Sequence, residues 1–345
     1  MQNVLILHNT FGDTDDPLYE SRAGVMDQVN AVAESLRTLK INFEIRAVED
    51  LRDLTQILAS KKSGLIFNLL EEFACSIEQA CYVPAICGAF NFSCTGNDTS
   101  ALLLAQNKIH AKAILTSAGL PCPNGIVVNI GKQTALERLT SGRYILKPAF
   151  CDASEGITSE SVVLLPDESQ KAHDLIQSLH RQFAQPVIIE QFIPARELNV
   201  SVIERNGLKQ VLPPAEIDFV AFSASRYKIV DYDAKWQKDS FTYNNTPRKI
   251  PADLPEDTSK RIEVLAAKAF SVIGCRDYAR VDFRMDEDLN PYILEVNPNP
   301  DISPDAGFAA ALHAANISYE EFVNTVLNNA NHRLLTSIDN SITYC

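Results

Sequence analysis

The stretch that leaves this chain least freedom is Arg280-Val281-Asp282-Phe283, an Asp- and Asn-rich turn, then Tyr292-Ile293-Leu294-Glu295-Val296-Asn297. Polar and apolar residues alternate in both halves, the period of a β-strand, and a polar turn joins them, so the stretch reads as a β-hairpin. Period two sets Arg280 and Asp282 on one face, and Glu295 and Asn297 on one face against Leu294 and Val296. Such a face is not ordinary core, because buried charge needs a partner. Three oxygen-bearing side chains on rigid strands, Asp282, Glu295 and Asn297, suit a hard cation such as Mg²⁺, with phosphate oxygens completing its octahedron. Arg280 beside that cation points to bound phosphate and an ATP-using enzyme. The plainer alternative is an internal ion network.

At 345 residues the chain is long enough for two or three domains. A net charge of -13 argues against nucleic acid as a partner, since phosphate backbones call for a basic surface. No apolar run reaches membrane-spanning length, and Met-Gln-Asn-Val-Leu-Ile-Leu-His enters a strand pattern without a basic leader. Neither a membrane span nor a secretion signal is expected, and the cytoplasm is the expected compartment. The cysteines 75, 81, 87 and 94 are too widely spaced for a zinc site, and the other four are scattered, so free thiols are expected.

Along the chain, strand, helix, strand, helix, strand occupy residues 4–7, 22–39, 43–48, 50–60 and 64–69, a parallel α/β unit placed at 1–96. Residues 98–118 read as one helix, capped by Asp98 or Thr99. Strands at 126–128, 144–148 and 161–164 and a helix at 167–182 fill a second unit, 97–186. A third unit, 187–345, opens on a strand at 187–192. It continues through further strands, an exposed polar loop at 231–252, a helix at 257–273, the hairpin, and a mostly helical segment at 305–340.

Other segments add chemistry. Lys147 ends a strand before Pro148, and a loop of small residues follows, with Ser154 and Gly156, whose backbone N–H groups could approach an anion. Neither Gly-x-x-x-x-Gly-Lys nor Gly-x-Gly-x-x-Gly is present. Glu190-Gln191-Phe192-Ile193 with Glu197 suggests a hinge between two sheets, where Glu197 meets a ribose hydroxyl pair. Tyr232-Asp233-Ala234-Lys235-Trp236 lies in the polar loop; Lys235 and Arg226 reach a phosphate if that loop folds over.

Together these segments resemble the ATP-grasp carboxylate–amine ligases, in particular the D-alanine–D-alanine ligase branch, most clearly over residues 100–306. The resemblance implies an ATP-grasp fold, α/β overall and α+β in the clamp domains, with an N-terminal parallel α/β domain. It implies ATP and Mg²⁺ (or Mn²⁺) as cofactors. One small-molecule carboxylate is activated as an acyl phosphate, and an amine, an amino acid or short peptide, attacks it. Lys108, Lys147, Ser154, Gly156, Glu190, Gln191, Ile193, Glu197 and Lys235 are implied as nucleotide contacts. Asp282, Glu295 and Asn297 are implied as metal ligands, and Arg280, Lys235 and Ser154 as the catalytic set. A homodimer stays open. So do two other functions: D-alanine–D-alanine ligation itself, and a non-catalytic ATP-binding regulator.

The chain departs from that branch past the metal asparagine. Those enzymes continue Thr-x-Pro-Gly-Met and then a serine that holds the substrate carboxylate; here Asp301 replaces the glycine and Ala306 the serine. Glu20 is a weak match to the glutamate that grips the first amine, and Trp236 replaces an aromatic hydroxyl. The acceptor pocket therefore reads as rebuilt, with Asp301 and Asp305 suited to a cationic or amine-bearing substrate.

Overall fold

The computed structural model describes residues 3–10, 24–73, 76–132, 134–151, 154–223, 226–237 and 239–343. Glu20 lies outside them, as does the side chain of Trp236.

The first sheet is parallel, in the order β2-β1-β3-β4. It consists of β1 Val4–Asn9, β2 Phe43–Val48, β3 Gly64–Leu69 and β4 Phe92–Cys94. Its central strands are apolar on both faces because helices cover both. Val4 and Ile6 face one core, with helix Val25–Thr38 and the C-terminal helix Tyr319–Thr343; Leu5 and Leu7 face another, with helices Leu51–Ala59 and Val83–Ala89.

The second sheet is antiparallel, β5-β8-β6-β7, from β5 Gly125–Val128, β6 Gly142–Pro148, β7 Val162–Leu165 and β8 Val187–Gln191. Helix Ser169–Phe183 covers one face. The strand at 187–192, assigned from sequence to the third unit, instead sits inside this sheet: β8 pairs with β5 and β6, with Lys147 opposite Ile188. Its apolar run needs two neighbours, and β6 and β5 supply them.

The third sheet runs β12-β11-β9-β13-β14, with β10 on β9. Its strands are β9 Arg196–Arg205, β10 Leu208–Val211, β11 Ala215–Ile217, β12 Arg248–Lys249, β13 Tyr278–Met285 and β14 Pro291–Asn297. Helix Glu256–Ile273 packs on it, as do Ala105, Ala111 and Leu115. The expected helix at 98–118 is in fact two, Thr99–Gln106 and Lys108–Ser117. Asn107 leaves helical geometry and its Oδ1 accepts the N–H groups of Ile109 and His110, both at 3.1 Å, so it starts a new helix. The segment at 231–252 likewise holds two short helices, Tyr232–Trp236 and Phe241–Asn244, before β12. Asp231 and Ser240 accept N–H groups at their starts, at 3.0 Å each. Among the described residues no helix is long and apolar enough to cross a membrane.

Candidate active site

The hairpin is β13 and β14, with Arg280 opposite Asn297 and Asp282 opposite Glu295. The strict alternation expected along β14 is interrupted. The register shifts after Asp282, so Phe283 faces Ile293 and Leu294 is the extra residue of a β-bulge. Leu294 therefore joins Glu295 at the pocket instead of opposing it. Asp282 is buried, and both its oxygens accept from Arg280, Oδ1 from Nε at 2.7 Å and Oδ2 from Nη2 at 2.8 Å. Asn199 Nδ2 also donates to Oδ1 at 2.9 Å. The Asn297 amide oxygen accepts the N–H of Asn299 at 2.9 Å. The two carboxylates and one carboxamide thus lie together, as the alternation implied. Burial works against the Arg280 charge, but Asp282 outweighs it and raises the pKa.

Around Glu295 four cations converge from four elements. Lys108 opens its helix because Asn107 breaks the chain there; it is buried, its Nζ donates to the Cys151 carbonyl at 2.5 Å and lies 3.6 Å from Glu295 Oε2. Lys147 comes from β6, Lys235 from helix Tyr232–Trp236, and Arg280 from β13. Burial pushes the Glu295 carboxyl up, yet these cations together bring it down to about 2. Lys147 and Lys235 are both lowered, each mainly by burial; Glu190 opposes the shift at Lys147, while Arg280 adds to it at Lys235.

Glu190 is buried between Lys147 and Lys112, an ion pair with Lys112 of 2.8 Å. Burial raises its pKa less than the two lysines lower it. Sequence reasoning missed Lys112, although it stands four residues after Lys108 on one helical face. It also missed Arg284, which continues the alternation Arg280, Asp282, Arg284. Arg284 donates to Glu197 Oε2 at 2.9 Å, Ile193 O at 2.8 Å and Lys228 O at 2.5 Å, fixing the turn from β8 to β9. Burial raises the Glu197 carboxyl and Arg284 partly offsets it.

The loop after β6 reaches the segment 229–232. Ser154 Oγ donates to Val230 O at 2.9 Å, and Tyr232 N to Ile157 O at 3.3 Å. Gly156 has φ +74, and a Cβ there would come within 2.7 Å of Pro148 Cγ, so this turn needs glycine. Lys108, Lys147, Ser154, Glu190, Gln191, Ile193, Glu197, Lys235, Asp282 and Glu295 line one cavity of about 100 Å³, between the second and third sheets. Gly156 is not among the residues that line it, although its neighbours Glu155 and Ile157 are, and Arg280 and Asn297 lie on a larger cavity of about 870 Å³ that shares Glu197, Lys235, Asp282 and Glu295 with the first.

The larger cavity continues to the first sheet. Glu71, just after β3, faces it with its Oε1 held by Gln28 Nε2 at 3.0 Å. Burial, with Asp301 and Glu72 adding to it against the Gln28 hydrogen bond, pushes the Glu71 carboxyl up to about 7. Asp301, Asp305 and Ala306 line the cavity too, where the sequence set the altered acceptor segment. Nothing in the sequence around Glu71 separated it from an ordinary surface carboxylate.

A family model described as "D-ala D-ala ligase C-terminus" matches residues 142–328. A D-alanine–D-alanine ligase B of Chromobacterium violaceum is 32% identical over 235 residues, covering 68% of this chain and 70% of that protein. One of Saccharophagus degradans is 31% identical over 68% of each chain. The crystal structure of a D-alanine–D-alanine ligase from Bacillus anthracis complexed with ATP is similar in fold, with a TM-score of 0.74 at 17% identity over 98% of this chain and 100% of that one. A match over half the chain, joined by relatives above 30% identity across two thirds of it, means that the chain belongs to the D-alanine–D-alanine ligase family, with its ATP-grasp fold.

Proposed function

We propose that the chain is an ATP-dependent, ADP-forming ligase that joins a carboxylate to an amine on amino-acid substrates, through an acyl phosphate. The observation that carries this is Glu295, a half-buried carboxylate with Lys108 Nζ 3.6 Å from its Oε2, which Lys108, Lys235, Lys147 and Arg280 together hold in the charged form. Four cations delivered by four elements to one carboxylate suit the polyphosphate of a nucleotide and its metal better than they suit structure alone.

The donor set fits Mg²⁺. Asp282, Glu295 and Asn297 offer hard oxygens and no sulfur or imidazole. When bound there, the ion would offset charge on the terminal phosphates. Arg280 and Asn199 now hold the Asp282 oxygens. Lys108, Lys147 and Lys235 would bind phosphate oxygens, Glu197 the ribose, and residues 190–193 the base. In the reaction a carboxylate oxygen takes the terminal phosphoryl group and ADP leaves. The amine nitrogen then attacks the carbonyl carbon, phosphate leaves, and the amine loses a proton. Arg280 would steady the acyl phosphate. The 154–157 loop and the 229–236 segment, already tied by Ser154, would keep water from it.

The same reading divides the chain at 1–96, 97–186 and 187–345, with β8 and the C-terminal helix crossing those borders. D-alanine as both substrates is the second reading, favoured by the relatives; Asp301 and Ala306 weigh against it. An ADP-release screen of paired amino acids, D-alanine alone included, followed by mass spectrometry of the product separates the two. No ADP release with any pair would favour the non-catalytic ATP binder.

A further inference from the structure

Two guanidinium groups line the large cavity, and only one is committed. Arg280 is taken by Asp282. The guanidinium of Arg248, an exposed residue on the edge strand β12, makes no side-chain hydrogen bond or ion pair among the described residues. The carboxylates in reach do not claim it: Asp301 Oδ1 accepts instead from Ser303 N at 2.8 Å and Ser303 Oγ at 2.6 Å.

The position of this guanidinium is specified. A Cβ on Gly307 would lie 3.0 Å from Arg248 Nε, 3.1 Å from Cζ and 3.2 Å from Nη2, so the flat face of the group rests on that glycine. Three near-equal distances mean face-on contact, which leaves the in-plane N–H donors directed away from Gly307. Ala306, the residue before it, brings no side-chain acceptor or donor to this corner. Burial disfavours the Arg248 charge, the neighbouring Arg280 adds to that, and Asp301 and Asp305 oppose it. Two like charges on one cavity, one of them exposed with its donors free for a ligand, suit an anion between them.

Given the ligase reading, on which this rests, we infer that Arg248 determines acceptor specificity by receiving the carboxylate of the amine substrate. The acceptor is then an amino acid or peptide with a free carboxylate, not a simple amine or an amide. Glu71, Asp301 and Asp305 on the same cavity fit the positive end of such a zwitterion. Gly307 is the spacer that keeps the guanidinium in place.

The test compares wild type with Arg248→Ala, Arg248→Lys and Gly307→Ala, each checked by thermal melt. Acceptors are the common L-amino acids and D-alanine, each beside its carboxamide, with ADP release as the readout. The wild type should prefer acids to amides. Arg248→Ala should raise the acceptor KM by about 10- to 100-fold for acids and little for amides, with the ATP KM unchanged. Arg248→Lys should restore part of the preference, and Gly307→Ala should weaken it without removing the charge. A wild type indifferent to the carboxylate, or an acid-to-amide ratio that survives Arg248→Ala, overturns the inference. Should wild type release no ADP with any pair, the ligase reading fails separately. Calorimetric titration of the same acids and amides into both proteins then decides for Arg248: carboxylate-dependent binding lost in Arg248→Ala supports the site, and its absence overturns it.

Discussion

Arg280 and Glu71 are charged groups whose neighbours decide what they can do. Arg280 is bound to Asp282 and stands among the cations around Glu295. Its proposed task is at the acyl phosphate, where charge develops. Arg280→Ala should therefore lower kcat by about 100-fold or more while the ATP dissociation constant moves little. Stopped-flow binding beside steady-state kinetics checks both, and a fully active variant would remove that role. Glu71 has a folded pKa of about 7 against an ordinary value of 4.5. The folded state then holds a proton that the unfolded state has lost, so the stabilisation is complete below pH 4.5 and disappears as pH rises to 7. Melting curves of Glu71→Gln should lack that slope and exceed wild type at pH 8, by on the order of 1–3 kcal/mol. Parallel pH profiles would contradict this. Asp282, Glu295 and Asn297 were legible because a two-residue period carries side-chain direction with it. Lys112 and Arg248 were not, since their meaning depends on Glu190 and Gly307, which lie far away in sequence.

At the scale of elements, two interruptions shape the site. Asn107 divides what reads as one helix, and Lys108 enters the pocket as the first residue of the second part. Leu294 bulges from β14 and turns to the smaller cavity beside Glu295. Neither is visible in hydrophobic periodicity, because both segments keep an apolar rhythm on either side of the break. Asn107→Ala removes the cap, at a cost of about 1 kcal/mol, and lets the helices fuse. It should also weaken ATP binding, since a continuous helix rotates Lys108 out of place. Chemical denaturation and nucleotide titration measure the two effects, and ATP affinity equal to wild type would show that the break does not position Lys108. The segment at 231–252 is a further case: its polar composition reads as a loop, but Asp231 and Ser240 each start a short helix.

Across the whole molecule, Asp277 fastens distant parts of the chain. It is fully buried, both its oxygens accept from Arg333 at 2.7 and 2.8 Å, and Gly96 N donates to it at 2.8 Å. Arg333→Met should destabilise by about 3–5 kcal/mol, because a buried carboxylate is left without its partner. Arg333→Met with Asp277→Asn should cost less, and denaturant midpoints distinguish the two; equal losses would mean that packing, not charge, is lost. The three groups of strands were readable from alternation and turn residues. Their exchange of strands and helices was not, since β8 and the C-terminal helix find partners far from their own neighbours in sequence. That exchange has a consequence during synthesis. Val4 and Ile6 share one core with Phe322, Val326 and Leu334. Strand β1 thus waits, during synthesis, for a helix made long after it before its sheet is closed on that face. A fragment of residues 1–96 should expose that apolar face, and refolding should be slower than the local α/β order suggests.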